Sequence, residues 1–210
     1  MNKFVVDNLF FSLTINHNIL DGWLHHFDGE PLRPRDQLTR LTGSLLKNPD
    51  ENANAAVAIL IRPTDDDLEV FIVKRAEVDG DPWSGDMAFP GGKKAAQDNG
   101  LVDTAVREVR EETGIDLRSL KPLGYMEPLT SWVRHTFSVQ PIVYLFECDP
   151  PIRLNYELTK YMWTPIDDLR RLKSRAVVKG FDSPIYRIGD EVVWGLTCRM
   201  LDRLIEIFND

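Results

Sequence analysis

The chain has 210 residues, 43% hydrophobic and 28% charged, which suits one soluble globular domain with an appended segment and requires no disulfide or structural metal to complete a core. A formal net charge of −8 and an isoelectric point near 5.1 speak against polymeric DNA or RNA as the main partner. An acidic protein that handles an anionic substrate gains from a bound divalent cation, which supplies positive charge locally.

Residues 1–50 read as a helical and irregular lead-in, with Pro31 and Pro34 in a loop and a helix over Asp36–Lys47 carrying Leu38, Leu41, Leu45 and Leu46 at helical spacing. The polar run Asn48-Pro49-Asp50-Glu51-Asn52 marks a boundary, so the main domain is expected over 51–210. Ala55–Arg62 and Leu68–Arg75 read as two strands of a hairpin. Ala76–Gly85 is a long polar loop, and Met87–Phe89 returns to strand before Pro90-Gly91-Gly92. Thr104–Thr113 reads as a helix with Gly114 as its stop. Gly124–Leu129 and Thr136–Glu147 look like strands, and Pro165–Lys173 like a short helix with Thr164 as a candidate N-cap. Ile185–Val193 reads as a hairpin turning near Gly189-Asp190. The last element, Leu196–Phe208, is a helix with Leu196, Met200, Leu201, Leu204, Ile205 and Phe208 on one face. Strands and helices mix without strict alternation, which predicts an α+β domain with a mixed sheet.

Cys148 and Cys198 form no metal or redox pair motif and read as reduced thiols of a cytoplasmic protein. No run approaches the ~18 apolar residues of a membrane span. The first twenty residues lack the basic start, apolar stretch and cleavage site of a signal peptide.

The most informative stretch is Arg107-Glu108-Val109-Arg110-Glu111-Glu112-Thr113-Gly114-Ile115. On a helix Glu108, Glu111 and Glu112 fall at i, i+3 and i+4 and share a face, where like charges repel by a few tenths of a kcal/mol per pair. They also lie toward the helix C-terminus, where the macrodipole disfavours anions. Stability alone would not select this arrangement. Three convergent hard-oxygen ligands suit Mg²⁺ or Mn²⁺, while a solvated charged face salted with Arg107 and Arg110 remains the plain alternative. Upstream, Phe89-Pro90-Gly91-Gly92-Lys93 sets two glycines after a strand, where the backbone can approach a ligand closely.

Together these segments resemble the signature of the Nudix hydrolases, G-x5-E-x7-R-E-U-x-E-E-x-G-U, where U is a bulky aliphatic residue. Gly92 matches the first glycine, and Arg107-Glu108-Val109, Glu111-Glu112 and Gly114-Ile115 match the second half. The chain departs at the intermediate acid, which is Asp98 and is separated from Arg107 by eight residues instead of seven, leaving Asp98 without an assigned role. A second pattern, L-L-T-x-R-S-x4-R-x3-G-x3-F-P-G-G, is similar to that of the coenzyme A diphosphatase-like branch. Arg75, Gly85, Phe89, Pro90, Gly91 and Gly92 match it, whereas Ala76 replaces its serine and Asp81 its second arginine. Glu157 with Trp163, and Trp194-Gly195-Leu196-Thr197, also look like features of that branch. The resemblance spans roughly residues 53–208.

The resemblance implies an α/β/α sandwich around a mixed β-sheet and a metal-dependent pyrophosphohydrolase using Mg²⁺ or Mn²⁺. Glu108, Glu111, Glu112 and the Gly91 carbonyl would hold metal, and Arg107 would orient a glutamate. Glu111, Glu108 or the loop residue Glu157 would serve the chemistry. Arg75, Lys93 and Trp83 are candidate substrate contacts, with Lys94, Trp132 and His135 as further loop residues that packing or solvation explains equally well. The expected partner is a small nucleoside diphosphate derivative, coenzyme A or an acyl-coenzyme A first, with ADP-ribose, nucleotide sugars and oxidised nucleoside triphosphates as alternatives. No membrane or polymer is expected, a homodimer is allowed, and a non-catalytic nucleotide-binding regulator is the other reading. The C-terminal helix is expected to pack on the sheet and carry no catalytic group.

Overall fold

A computed structural model describes residues 33–132, 135–146 and 150–209, with the side chain of Asn209 left out. The readings of the lead-in through Leu32, of the strand end at Glu147 and of Cys148 lie outside these residues. In chain order the elements are α1 (Pro34–Ser44), β1 (Ala55–Pro63), β2 (Leu68–Arg75), β3 (Met87–Ala88), β4 (Gly91–Lys93), α2 (Leu101–Thr113), β5 (Gly124–Tyr125), β6 (Leu129–Thr130) and β7 (Ser138–Leu145). They continue as β8 (Leu158–Pro165), α3 (Ile166–Leu172), β9 (Lys173–Val178), β10 (Phe181–Ile188), β11 (Glu191–Trp194) and α4 (Gly195–Asn209).

The main sheet is mixed. β1 runs parallel to β7 along its length, Ala55 opposite Val139 through Ile61 opposite Leu145. Its other edge is shared: β2 pairs antiparallel with one end, Ile61 opposite Val70, and β4 with the other, Val57 opposite Gly91. β2 is shared likewise, with β8 along one edge and β1 then β3 along the other. β1 and β2 therefore diverge, and the turn Phe89-Pro90 sits in the split between them. This places the two glycines beside α2.

Alternation along the strands makes two cores. Ile59 and Ile61 of β1, Val70 and Ile72 of β2 and Val143 of β7 point to the side covered by α1, α3 and α4. Ala58, Leu60, Phe71, Val73, Ile142 and Tyr144 point to the other side, where Leu101, Ala105 and Val109 of α2 cover them. Strands covered on both faces read as near-continuous apolar runs, which is why β1 is so rich in Val, Ile and Ala. Layers of helix, mixed sheet and helix result, the α+β sandwich expected. α4 packs as foreseen, with Met200, Leu201, Leu204, Ile205 and Phe208 buried. No helix among the described residues is long and apolar enough to cross a membrane.

Several boundaries differ from the sequence reading. α2 starts at Leu101 rather than Thr104, and α1 at Pro34, whose ring suits a first helical turn. The expected strand Gly124–Leu129 is two short pieces, each bonded to a different part of β7. Thr164 is no N-cap. It lies buried in β8, and the Asp167 N–H at the start of α3 is instead met by Asp67 Oδ2 at 2.9 Å. Asp67 also accepts from Gln37 Nε2 at 2.8 Å, so one buried carboxylate joins α1, the start of β2 and α3. β8 and β9 were not anticipated. β9, β10 and β11 form a second, antiparallel sheet, tied to the first where Glu191 pairs with Lys74 at 2.8 Å.

Candidate active site

α2 presents one apolar face to the sheet and ends at Gly114, whose φ of +73° lets its N–H close on the Arg110 carbonyl at 3.0 Å. The three glutamates share the adjoining face but differ in environment. Glu111 is solvated. Glu112 is only 4% exposed and accepts the Gly91 N–H through Oε2 at 2.9 Å. Burial, helped by the nearby charge of Glu108, pushes the Glu112 carboxyl up to about 8. A carboxylate so desolvated, with a second one beside it, is short of positive charge.

Arg75 supplies part of that charge to Glu112, and Arg107, held by Asp98, supplies it to Glu108. Nε of Arg107 donates to Asp98 Oδ1 at 3.0 Å and one terminal nitrogen to Oδ2 at 2.9 Å, a two-pronged pair with planar complementarity. Asp98 also accepts from the Ala95 N–H at 2.8 Å and from the Thr104 hydroxyl at 2.9 Å. The hydrogen bonds from Arg107 hold the Asp98 carboxyl well below the usual carboxylate range and push the guanidinium up. The other terminal nitrogen of Arg107 reaches Glu108 at 2.8 Å and Glu111 at 3.4 Å. Arg107 thus links Glu108 and Glu111 to Asp98, the residue that the spacing left without a role. The signal available was Asp98 with Thr104 and Arg107, six and nine residues on, which a loop followed by a helix brings together.

Close approach of backbone requires glycine at position 91, and at position 92 the Glu108 carboxyl occupies the space of a side chain. A β-carbon on Gly91, whose φ is +148°, would overlap the Ala56 carbonyl and the Val57 backbone of β1. One on Gly92 would lie 2.5 Å from the Glu108 carboxyl carbon. The glycines therefore admit protein groups, β1 and Glu108, at the place where a ligand approach was expected.

Around this centre, Arg75 at the end of β2 and Glu157 just before β8 lie close enough for their charges to act on Glu112. The Glu157 carbonyl accepts the Ala76 N–H at 2.7 Å, which joins the two loops. Arg75 is not free: it pairs with Asp81 Oδ2 at 2.9 Å, and Asp81 Oδ1 accepts the Trp83 N–H at 3.0 Å. Burial works against the Asp81 charge, but the bonds from Arg75 and Trp83 outweigh it and hold its pKa below the ordinary value. Trp83 is half-buried in the same loop. Lys93 is exposed, and its carbonyl accepts from Arg107 at 3.1 Å. Lys94 turns to Glu51 at 3.4 Å. Trp132 lies under the Arg199 guanidinium of α4, 4.8 Å from the ring centre, and His135 is exposed in the turn before β7.

The donor set matches a hard divalent cation in kind: carboxylate oxygens on one helix face, one of them buried and only partly compensated. Among the described residues no three such side chains are already drawn together at metal-holding distance. Glu108 and Glu111 are each turned to Arg107, at 2.8 and 3.4 Å. Gly91 meets Glu112 through its N–H.

Residues 52–183 match the family model of the NUDIX domain. A Yersinia enterocolitica protein named uncharacterized Nudix hydrolase NudL is 31% identical over 143 residues, 60% of this chain and 67% of that protein. Arabidopsis thaliana Nudix hydrolase 15, mitochondrial, is 31% identical over 182 residues, 78% of this chain and 62% of its own length. Among solved structures, a Nudix hydrolase from M. smegmatis, RenU, has a TM-score of 0.49 at 15% identity, covering 75% of this chain and 87% of that one.

Proposed function

This chain belongs to the NUDIX domain family, and on that premise we propose that it is a metal-dependent hydrolase that cleaves the pyrophosphate linkage of a nucleoside diphosphate derivative, coenzyme A or an acyl-coenzyme A first. The observation that carries the reading is the arrangement of Asp98, Arg107, Glu108 and Glu111 beside Glu112, which is buried and only partly compensated. A merely solvated glutamate face would not need the buried Asp98 anchor.

In this reading Glu108, Glu111 and Glu112, with the Gly91 carbonyl, hold Mg²⁺ or Mn²⁺. When bound, the metal polarises phosphoryl oxygens and activates water for attack on phosphorus. Arg107, fixed by Asp98, sets the positions of Glu108 and Glu111. Glu111 and Glu157, both solvated, can take the proton of the attacking water, whereas Glu112 is packed against Gly91. Arg75, Lys93 and Trp83 form the substrate side, with the two cations toward phosphate and the indole toward the base.

One observation favours a second substrate. Asp81 neutralises Arg75, which removes positive charge that an extra phosphate, such as the 3′-phosphate of coenzyme A, would use. ADP-ribose, which has the pyrophosphate but no such group, suits that site better. Hydrolysis of both compounds with added Mg²⁺ or Mn²⁺, with products identified by mass, tests the reading. Turnover of coenzyme A or ADP-ribose supports it, and their relative kcat/KM separates the two substrates. Binding without turnover would favour the regulator reading.

A further inference from the structure

Outside the glutamate centre, one side chain holds a functional loop from a different sheet. The turn joining β9 to β10 is Lys179-Gly180, with φ of +49° and +86° and Val178 opposite Phe181. Both signs are those of a two-residue hairpin turn of the primed type. Glycine is expected at both places, and Lys179 is the only described residue other than glycine with a positive φ. Its side chain crosses to the loop 76–86. Nζ donates to the Pro82 carbonyl at 2.8 Å and to the Ser84 carbonyl at 3.3 Å, and pairs with Asp86 Oδ1 at 2.9 Å. An ammonium has three protons, and these three partners account for them all. Trp194 fixes the same Asp86 oxygen through its indole N–H at 2.9 Å, and the Lys179 nitrogen stands 5.5 Å from that ring.

The loop so held is joined to the centre through Arg75. Asp81 within it grips Arg75, whose charge reaches Glu112. The loop closes on itself through the Val78 N–H to Ser84 Oγ at 2.7 Å, and its neck through the Arg75 N–H to the Asp86 carbonyl at 3.0 Å. Trp194 also holds its end at Asp86, and at its middle Lys179 takes two of the carbonyls, those of Pro82 and Ser84.

We infer that Lys179 is a positioning residue for substrate binding: from the hairpin tip it fixes the loop 76–86, and through Asp81 the orientation of Arg75 beside the glutamate helix. The inference rests on the proposed reading that this loop lines the substrate side of the site. A lysine kept in a backbone conformation that favours glycine is consistent with its side chain being needed at that point.

The test compares wild type with Lys179→Met, Lys179→Gly and Lys179→Arg in the full chain. Lys179→Gly removes the side chain while relieving the backbone, so loss of folding does not mask the result. Two quantities are read: hydrogen exchange at the amides of Val78, Gly85 and Asp86 against those of α2, and steady-state kinetics on coenzyme A and ADP-ribose with Mg²⁺. The expected result is about tenfold faster exchange confined to the loop, with KM raised about fivefold or more and kcat within about twofold. Lys179→Arg, which keeps the charge and donors, should recover most of both. Unchanged loop exchange overturns the inference, as does a loosened loop with unchanged KM, or faster exchange spread evenly through α2. Were wild type to cleave neither compound, the functional reading would fail by itself, and loop exchange alone would decide whether Lys179 holds the loop.

Discussion

Asp98 grips Arg107 by two parallel hydrogen bonds, at 3.0 and 2.9 Å, from a side chain only 3% exposed. Removing the acid leaves a half-buried guanidinium without its main partner. Asp98→Ala should cost about 2–3 kcal/mol, under the ~3–5 kcal/mol of a fully buried pair because Arg107 keeps some solvent. It should also lower kcat, since Glu108 and Glu111 lose a fixed partner. Denaturant unfolding together with kinetics checks both, and a variant of wild-type stability and activity would refute the anchoring role.

The same pair predicts a pH effect. Hydrogen bonds from Arg107 depress the folded-state pKa of Asp98 below its unfolded value, ~3.9. A depressed acid stabilises the fold above its unfolded pKa, and that contribution is lost as pH falls through the folded one. Wild type should therefore lose stability steadily from about pH 4 downward, and Asp98→Asn should show a shallower slope over that window. Parallel slopes in urea titrations would contradict the assignment.

Glu112 works in the opposite sense. Burial raises it to about 8, so in EDTA at neutral pH folding must protonate a carboxyl that is ionised in the unfolded chain, at a cost in stability. Glu112→Gln should melt above wild type in EDTA. With Mg²⁺ added the wild type should gain more than the variant, and kcat of the variant should fall roughly a thousandfold, about 4 kcal/mol at 1.4 kcal/mol per decade. Thermal melts with and without Mg²⁺ read this directly; equal Mg²⁺ shifts in the two proteins would argue against Glu112 as a ligand.

Asp81 tests substrate choice. Asp81→Asn frees Arg75, and Asp81→Arg adds a second guanidinium. A charge-assisted hydrogen bond contributes ~1.5–3 kcal/mol, so the ratio of kcat/KM for coenzyme A over ADP-ribose should rise about tenfold or more in Asp81→Arg. A fall in that ratio would place the loop away from the extra phosphate.

Leu204 is fully buried in α4, on the side of the sheet away from the glutamate helix. Leu204→Ala should cost about 2–5 kcal/mol through lost burial and a residual cavity, with near-normal KM for the folded fraction. Unchanged melting with abolished turnover would move α4 into the site.

The parts legible in the sequence were those with a strong local rule. β1 and β2 were marked by apolar runs around a turn, α2 by its periodicity and by Gly114, and α4 by its stripe. Glu108, Glu111 and Glu112 were legible as one face because helical spacing alone sets it. β8 was not, since only one of its faces packs well and Thr159, Lys160 and Tyr161 blur the alternation. β9 was hidden because Lys173-Ser174-Arg175 reads as a continuation of the polar helix before it. The Asp98–Arg107 pair was obscured because the extra residue between them breaks the linear spacing, while the loop absorbs it in space. Lys179 depends on a contact between two sheets, about a hundred positions apart in the chain, that no local pattern encodes.

The central claim is hydrolysis at phosphorus by a centre built on the glutamate helix. Its most direct test is turnover of coenzyme A and ADP-ribose in heavy-oxygen water with Mg²⁺, by wild type and Glu111→Gln. The account predicts two phosphomonoester products from each cleaved compound, one carrying a single heavy oxygen, with activity lost in excess EDTA and lowered at least about a hundredfold by the substitution. Full activity in EDTA, or an unimpaired Glu111→Gln, would contradict it.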